Sequence, residues 1–319
     1  MAMTKRERFE AAIAGRPVDR PPVTAWVHFV TDESPAEVFA DRAAAFFERL
    51  DFDICKVVND YRYPLPEGLE TIEGPEDMRR FRRLAMDHPA FVQQPRAIRL
   101  LRERLGPDVP ILDTGFDPFQ QVMRRAGYDR AHVVFAHPEA ASEMLEAVCA
   151  TMEDFMAALR DAGCDGVFFS INGAITGGSR AVDRATYERF MRPYDLRMLA
   201  AMAPMVRILH VHGAPVDVTR VLDYPIEALS VSDRLAGNPS LADLRRLTDK
   251  CLMGGVNEVL ITERGVDALR AEVRDTVRQN GGMDRLIIAP GCTIPTQTPS
   301  FLLRALVEET KALALRRAA

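Results

Sequence analysis

The sequence predicts an α/β fold: a single (β/α)8 TIM barrel over residues 1–319, with an N-terminal helix and extra outer helices. Eight short apolar runs alternate with segments of helical periodicity, which is the pattern of parallel strands joined by helices. Each run is nearly continuous in apolar residues, as expected for strands that are covered on both faces. No repeat, low-complexity stretch or linker interrupts the chain, so we expect one domain.

The first element is a helix that comes before the first predicted strand. Thr4 and Glu7 form a capping-box pattern at its start, and Gly15 with Pro17 ends it near Ala14. The strands are then expected at residues 23–29, 54–58, 109–113, 166–171, 206–212, 228–232, 252–256 and 286–289. Helices are expected at 139–162, 187–203, 240–249, 266–279 and 299–316, and the irregular stretch 62–105 is expected to form outer helices.

The composition excludes several classes of protein. The 319 residues are 47% hydrophobic and 27% charged, which is ordinary for a globular protein. The net charge of -5, without a long lysine-arginine run, argues against nucleic acid as a partner. No apolar run is long enough for a transmembrane helix, and the charged start is unlike a signal peptide. Five cysteines without regular spacing argue against disulfides, so we expect a cytoplasmic protein with no membrane partner.

Active sites of (β/α)8 barrels form at the carboxyl ends of the strands. The residues found at those ends here are Trp26, His28, Lys56, Asn59, Asp60, Tyr61, Asp113, Asp117, Ser170, Asn172, His210, His212, Ser232, Asp233, Asn257, Glu258 and Cys292. Four of them are expected to line a substrate pocket: His28, Asn59, Tyr61 and Asn172. The carboxylates of Asp233 and Glu258 are expected to act in catalysis, either as a releasable fourth metal ligand or by orienting the substrate.

Two histidines and a cysteine are the best clue to function. His210 and His212 alternate on one predicted strand, so both side chains project from the same face. Cys292 follows the last apolar run. Two imidazoles and a thiolate suit zinc, and a thiol that binds zinc is deprotonated and stays nucleophilic at neutral pH. The residues therefore predict a zinc site that promotes alkyl transfer to a thiol.

Two alternatives to a metal site remain open at this point. The three side chains would also suit a polar substrate bound without metal, and single histidines in apolar strands often have only a structural role. The pattern of two histidines on one strand face, with a cysteine at another strand end, favours the metal site.

Landmarks across nearly the whole chain resemble the uroporphyrinogen decarboxylase superfamily. They are residues 4–9, 15–22, 138–146, 162–166, 190–194, 210–213 and 289–299. The resemblance implies a (β/α)8 barrel. True decarboxylases of this superfamily carry an arginine-rich segment after the first strand, which grips the acidic side chains of the porphyrinogen. The corresponding residues 26–32 contain no arginine here, so decarboxylation of that substrate is disfavoured.

The chain is most similar to the methylcobalamin:coenzyme M methyltransferase branch, whose zinc signature is His-x-Cys with a late Pro-Gly-Cys. His210 and Cys292 match that signature, while His212 stands where the branch has cysteine. Imidazole replaces thiolate as a ligand but removes one negative charge, which makes zinc a stronger Lewis acid. The resemblance implies methyl transfer to a zinc-activated small thiol from a small methylated donor or from a corrinoid protein.

The chain has no Asp-x-His-x-x-Gly corrinoid-binding sequence, so any corrinoid is expected on a separate partner protein. The resemblance also leaves a homodimer open. Two other functions remain as alternatives: a lyase acting on a small carboxylated substrate, and a non-catalytic subunit of a demethylase system.

Overall fold

A seven-stranded parallel sheet forms the centre of the protein in the computed structural model, which describes residues 2–317. The strands pair in chain order, each with the next. They are β1 (Cys55–Lys56), β2 (Ile111–Phe116), β3 (Gly166–Ile171), β4 (Val206–Val211), β5 (Ala228–Val231), β6 (Cys251–Val256) and β7 (Leu286–Pro290). Because all strands run in the same direction, their carboxyl ends meet at one edge of the sheet, as predicted from the sequence.

The expectation of eight regular strands is wrong at residues 23–29. The structure has only an isolated parallel bridge there, between Val23 and Ile288 of β7. The Thr24 amide donates to the Ile288 carbonyl at 3.2 Å. Beyond this point the backbone groups bond to loops and side chains instead of a strand: the Trp26 carbonyl accepts from the Ile294 amide, and the Phe29 amide donates to a carboxylate. A strand ladder therefore does not form.

Helices surround the sheet in the predicted alternation. They are α1 (Lys5–Ile13), α2 (Ala36–Leu50), α3 (Pro75–Met78), α4 (Pro89–Leu105), α5 (Pro118–Ala126), α6 (Ala131–Ala136), α7 (Pro138–Asp161), α8 (Arg184–Phe190), α9 (Arg192–Met202), α10 (Leu241–Leu247), α11 (Val266–Asn280) and α12 (Ser300–Arg317). The segment 187–203, expected as one helix, is divided between α8 and α9. Pro193 explains the break because it has no amide hydrogen to continue the hydrogen bonds of α8, while it is well tolerated in the first turn of α9.

Helix α1 packs across the N-terminal ends of the strands. Its capping box is formed, with the Thr4 hydroxyl accepting from the Glu7 amide and the Glu7 carboxylate accepting from the Thr4 amide. Phe9 of α1 belongs to a buried cluster with residues near the starts of strands, among them Leu112 and Ile287. This packing covers the amino end of the sheet and leaves the carboxyl end for a site. Within residues 2–317, no helix has the length and apolar character that crossing a bilayer requires.

Candidate metal centre

The two predicted histidines and the predicted cysteine come together at the carboxyl edge of the sheet. His210 lies on β4, and His212 follows that strand directly, with its amide donating to the Ile171 carbonyl at 3.0 Å. This hydrogen bond continues the β3–β4 pairing by one residue, so the two imidazoles project from the same face. Cys292 lies two residues beyond the end of β7.

The three side chains have spacings close to those of a tetrahedral zinc shell. His210 Nε2 lies 3.4 Å from His212 Nδ1, which lies 3.7 Å from Cys292 Sγ. Tetrahedral bonds of the usual Zn–N and Zn–S lengths would separate two nitrogens by about 3.3 Å and a nitrogen from a sulfur by about 3.6 Å. All three ligand atoms of the group lie within 4.8 Å of one another. The side chains are therefore arranged to close on one ion with little movement.

Burial sets the protonation of the same three groups. Burial and the neighbouring His212 and Lys56 lower the pKa of His210 well below its usual range, and burial with Arg180 lowers the pKa of His212. Both imidazoles are thus neutral, with lone pairs available to a metal. Burial raises the pKa of the Cys292 thiol, an effect that a divalent cation would reverse.

The cluster opens on a cavity of about 130 Å³. Its lining residues are Trp26, His28, Lys56, Val58, Thr114, Phe116, Gln120, Arg124, Phe168, Ser170, His210, His212, Cys292 and Thr293. One wall is aromatic: the Phe168 ring stacks on the His210 imidazole, with centroids 4.7 Å apart. The Lys56 ammonium lies 4.0 Å from the Trp26 ring centroid and 4.2 Å from that of Phe168. Burial lowers the pKa of Lys56 well below its usual range.

The two predicted carboxylates occupy different positions beside the cluster. Asp233 supports β6, since its Oδ1 accepts from the Gly255 amide at 2.8 Å, and burial raises its pKa to about 6. Glu258 lies behind Cys292: a Cβ atom at Gly291 would lie only 2.9 Å from Glu258 Oε2. Glu258 is buried, its pKa is raised by that burial, and no described residue is hydrogen-bonded to its Oε2.

The predicted pocket residues are only partly brought to this cavity. His28 lines it, whereas Asn59, Tyr61 and Asn172 do not. The Tyr61 hydroxyl donates to the Ser34 carbonyl at 2.9 Å, and the ring lines a separate groove of about 550 Å³. The Asn172 amide group donates to the Tyr128 hydroxyl at 2.9 Å, and the buried Asn59 Oδ1 has no hydrogen-bond partner among the described residues.

Among the lining residues that had no role in the sequence prediction are two cationic side chains, Lys56 and Arg124. The sequence prediction put Lys56 at a strand end but gave it no function. A lysine within an apolar run is unusual and could have marked it as a candidate site residue. Arg124 lies on α5, and no sequence pattern places that helix at the cavity. Its guanidinium packs 3.8 Å from the Phe116 ring centroid and makes no hydrogen bond or ion pair with the described residues. Burial, together with Arg62, lowers its pKa to about 10.

Comparisons with known proteins agree with this fold and indicate the family of the chain. The chain is 22% identical over 351 residues to methylcobamide:CoM methyltransferase MtbA of Methanosarcina acetivorans, a match that covers 97% of this chain and 98% of the relative. It is 24% identical over 262 residues to methylcobamide:CoM methyltransferase MtaA of Methanosarcina barkeri, covering 76% of this chain and 68% of the relative.

A solved structure of a methyltransferase from Methanosarcina mazei superimposes with a TM-score of 0.78 at 19% identity, and it covers 98% of this chain and 99% of that chain. This likeness shows a shared fold. The family model described as uroporphyrinogen decarboxylase (URO-D) matches residues 61–313. The chain therefore belongs to the uroporphyrinogen decarboxylase (URO-D) family, and the resemblance to its methyltransferase branch is confirmed.

Proposed function

We propose that this protein is a zinc-dependent methyltransferase, which moves a methyl group to a small thiol from a corrinoid protein or from a small methylated donor. The observation that carries the proposal is the cluster of His210, His212 and Cys292, whose ligand atoms lie within 4.8 Å of one another beside a cavity. The two relatives, both methylcobamide:CoM methyltransferases, support the same reaction.

The residues present fit a catalytic zinc site, in which one coordination position is left open. Two neutral imidazoles and one thiolate give three protein ligands, which leaves one position for a substrate. Zinc would supply the positive charge that favours ionisation of a thiol at neutral pH. Glu258 is the better candidate for an exchangeable fourth ligand, because its charge acts on the Cys292 thiol and no described residue is hydrogen-bonded to its Oε2. Asp233 is instead held by the Gly255 amide and by an ion pair with Arg234 at 3.4 Å.

The chain's own residues would select and orient the thiol. A cavity of about 130 Å³ admits only a small molecule, and the rings of Trp26 and Phe168 suit its apolar carbon chain. The guanidinium of Arg124 packs on the Phe116 ring and makes no hydrogen bond with a described residue, so it suits an anionic group at the far end of that molecule. We therefore propose a small thiol that bears an acidic group. A corrinoid is too large for this cavity. It would be carried by a separate protein and would approach the mouth of the cavity at the carboxyl end of the sheet.

The proposal also covers the closure of the barrel and the remaining predictions from the sequence. We propose that residues 23–29 fill the eighth position of a closed barrel, because Thr24 bonds to Ile288 on one side and the Val23 carbonyl accepts from the Asp53 amide on the other. Of the four residues predicted to bind substrate only His28 lines the cavity, so a substrate-binding role for Asn59, Tyr61 and Asn172 stays a prediction. A single domain over residues 1–319, a cytoplasmic location and a homodimer stay predictions.

A methyl-transfer assay on zinc-loaded protein tests the function. Mercaptoacetate would serve as acceptor and free methylcobalamin as donor, with loss of the methyl–cobalt absorption and formation of the methyl thioether as readouts. We expect turnover in the wild type, and a loss of at least about 100-fold in Cys292→Ser but not in Cys149→Ala, a cysteine buried in α7 away from the site. Turnover without metal or thiol, on a carboxylated substrate, would favour the lyase instead.

A further inference from the structure

We propose that His28, held by Asp60, accepts the proton of the substrate thiol and passes it to solvent. The inference rests on the proposed function, since it assigns the proton that a thiol must lose before it can attack a methyl group. His28 was expected only to line the pocket. Its hydrogen bonds and its place between two cavities give it a more specific role.

The first observation is the hydrogen bond that fixes the imidazole. His28 Nδ1 lies 2.6 Å from Oδ1 of Asp60, a buried carboxylate. An ionised carboxylate only accepts hydrogen bonds, so Nδ1 carries the ring hydrogen and Nε2 holds a free lone pair. No described residue is hydrogen-bonded to Nε2. This is the arrangement of an imidazole that is oriented by a carboxylate and ready to take a proton at its other nitrogen.

The second observation is the position of His28 between two cavities. His28 lines the cavity of about 130 Å³ that holds the metal cluster, and it also lines an outer cavity of about 290 Å³ together with Asp32 and Arg62. The His28 side chain is 45% exposed, whereas Asp60 is 7% exposed. The imidazole therefore stands between the enclosed space where the thiol would bind and the water outside. A proton taken from the inner side can leave on the outer side.

The third observation is the backbone that holds this residue. Asp60 Oδ2 also accepts from the Phe29 amide at 3.1 Å, and Arg42 donates to the Phe29 carbonyl at 2.9 Å. Thr296, from the loop that follows Cys292, donates to the His28 carbonyl at 3.3 Å. Next in the chain, Val30 has φ +53° and is 72% exposed, an unfavourable conformation for a β-branched residue. Such local strain persists where surrounding contacts fix the backbone, which is common beside functional sites.

The proton moves from the thiol sulfur to His28 Nε2 before the methyl group is transferred. The S–H bond of the thiol breaks, the electron pair stays on sulfur, and the proton forms a new bond to His28 Nε2. The imidazolium is stabilised by the Asp60 carboxylate and then releases its proton to water in the outer cavity. In the later transfer, the sulfur forms a bond to the methyl carbon while the bond from that carbon to the donor breaks, with its electron pair left on the donor.

The acidity of the thiol distinguishes a proton acceptor from a structural histidine. The test compares ethanethiol with the more acidic trifluoroethanethiol, which has a similar size. Each thiol is mixed with zinc-loaded protein, and thiolate ultraviolet absorption is followed by stopped flow in the wild type, His28→Gln and Asp60→Asn. His132→Gln, at an exposed position on α6, is the matched control. Metal content is measured for every variant.

We expect His28→Gln to slow thiolate formation from ethanethiol by about 100-fold but from trifluoroethanethiol by only about threefold, with zinc content unchanged. Added imidazole should restore much of the lost rate. Asp60→Asn should show the same selectivity more weakly, as expected for a positioning residue, and His132→Gln should match the wild type. Equal slowing of both thiols, or no slowing, would overturn the role of His28 while leaving the metal site intact. Failure of the wild type to hold zinc would instead overturn the proposed function, and this inference with it.

Discussion

Buried polar groups at the two ends of the sheet differ in how fully they are hydrogen-bonded. At the amino end, Asp53 accepts hydrogen bonds from Arg8 at 2.8 Å, from Arg20 at 2.6 Å and from the Val23 amide at 2.9 Å. At the carboxyl end, buried oxygens without hydrogen-bond partners among the described residues occur on Asn59, Asn172, Asp233 and Glu258. Buried groups are normally paired, so the unpaired oxygens at the carboxyl end, beside the cavity, are candidates for contact with a ligand.

This difference between the two ends of the sheet predicts which substitutions should affect stability and which should affect function. The amino end holds the fold together through satisfied charges, while the carboxyl end retains groups that no described residue satisfies. Removing a group from the first end should lower the free energy of unfolding. Removing one from the second end should leave stability unchanged or raise it, while reducing binding or turnover.

The largest effect is expected for Asp53→Ala at the amino end. This change leaves the buried guanidinium of Arg20 without a carboxylate and takes one of two carboxylates from Arg8, which keeps Asp19. It should lower the free energy of unfolding by about 3–5 kcal/mol. Urea unfolding followed by circular dichroism measures it. The control Asp51→Asn, which removes the charge of an exposed partner of Lys5 and Lys311 but suits the left-handed backbone there, should cost only about 0–1 kcal/mol. Equal losses in the two variants would contradict the special role of the buried network.

A smaller and pH-dependent effect is expected for Asp113→Asn on β2. Burial raises the pKa of Asp113 to about 7, and only its Oδ1 is hydrogen-bonded, to Gln94 at 2.6 Å. The folded protein therefore binds this proton more tightly than the unfolded chain, so the carboxyl destabilises the fold as pH rises from about 4 to about 7. Asp113→Asn should be more stable than the wild type by about 3–4 kcal/mol at alkaline pH, since a pKa shift of about three units corresponds to about 4 kcal/mol.

The difference between Asp113→Asn and the wild type should disappear in acid below about pH 4, where both the folded and the unfolded carboxyl are protonated. Unfolding curves across this pH range measure it. The exposed Asp161→Asn serves as the control and should follow the wild type. A stability gain that is the same at all pH values would show that ionisation of Asp113 is not its cause.

The smallest effect on stability is expected for Arg124→Met, which removes an unpartnered cation from the carboxyl end. The free energy of unfolding should change by less than about 1 kcal/mol. The KM for mercaptoacetate should rise about tenfold, because a hydrogen bond to a charged group is lost, while the KM for neutral ethanethiol stays within about twofold. Arg125→Met, at the exposed neighbouring position, is the control. Equal changes for both thiols would contradict an anion-binding role.

The predicted metal ligands that the structure brings together are those whose positions follow from strand geometry. Alternation along β4 places His210 and His212 on one face, and the carboxyl ends of parallel strands bring Cys292 to them. The helix cap at Thr4 and Glu7 depends only on local contacts, and it too forms as expected. Periodicity and capping are properties of short segments, so they can be derived from the sequence alone.

The positions that the sequence did not predict depend on loops and on packing between distant segments. β1 ends at Lys56, so strand alternation gives no guide to the directions of Asn59 and Tyr61. β3 ends at Ile171, and Asn172 turns away to Tyr128. Arg124 reaches the cavity only because of how α5 packs on the sheet. No local pattern carries that information.

The most direct test of the metal site is elemental analysis of the purified protein after exposure to zinc and removal of the unbound metal. The wild type and the control variants Cys149→Ala and His132→Ala should each hold about one zinc per chain. Cys292→Ser and His212→Ala should each lose most of it while remaining folded. A wild type that holds no zinc, or a Cys292→Ser variant that holds as much as the wild type, would contradict the assignment of His210, His212 and Cys292 as a metal centre.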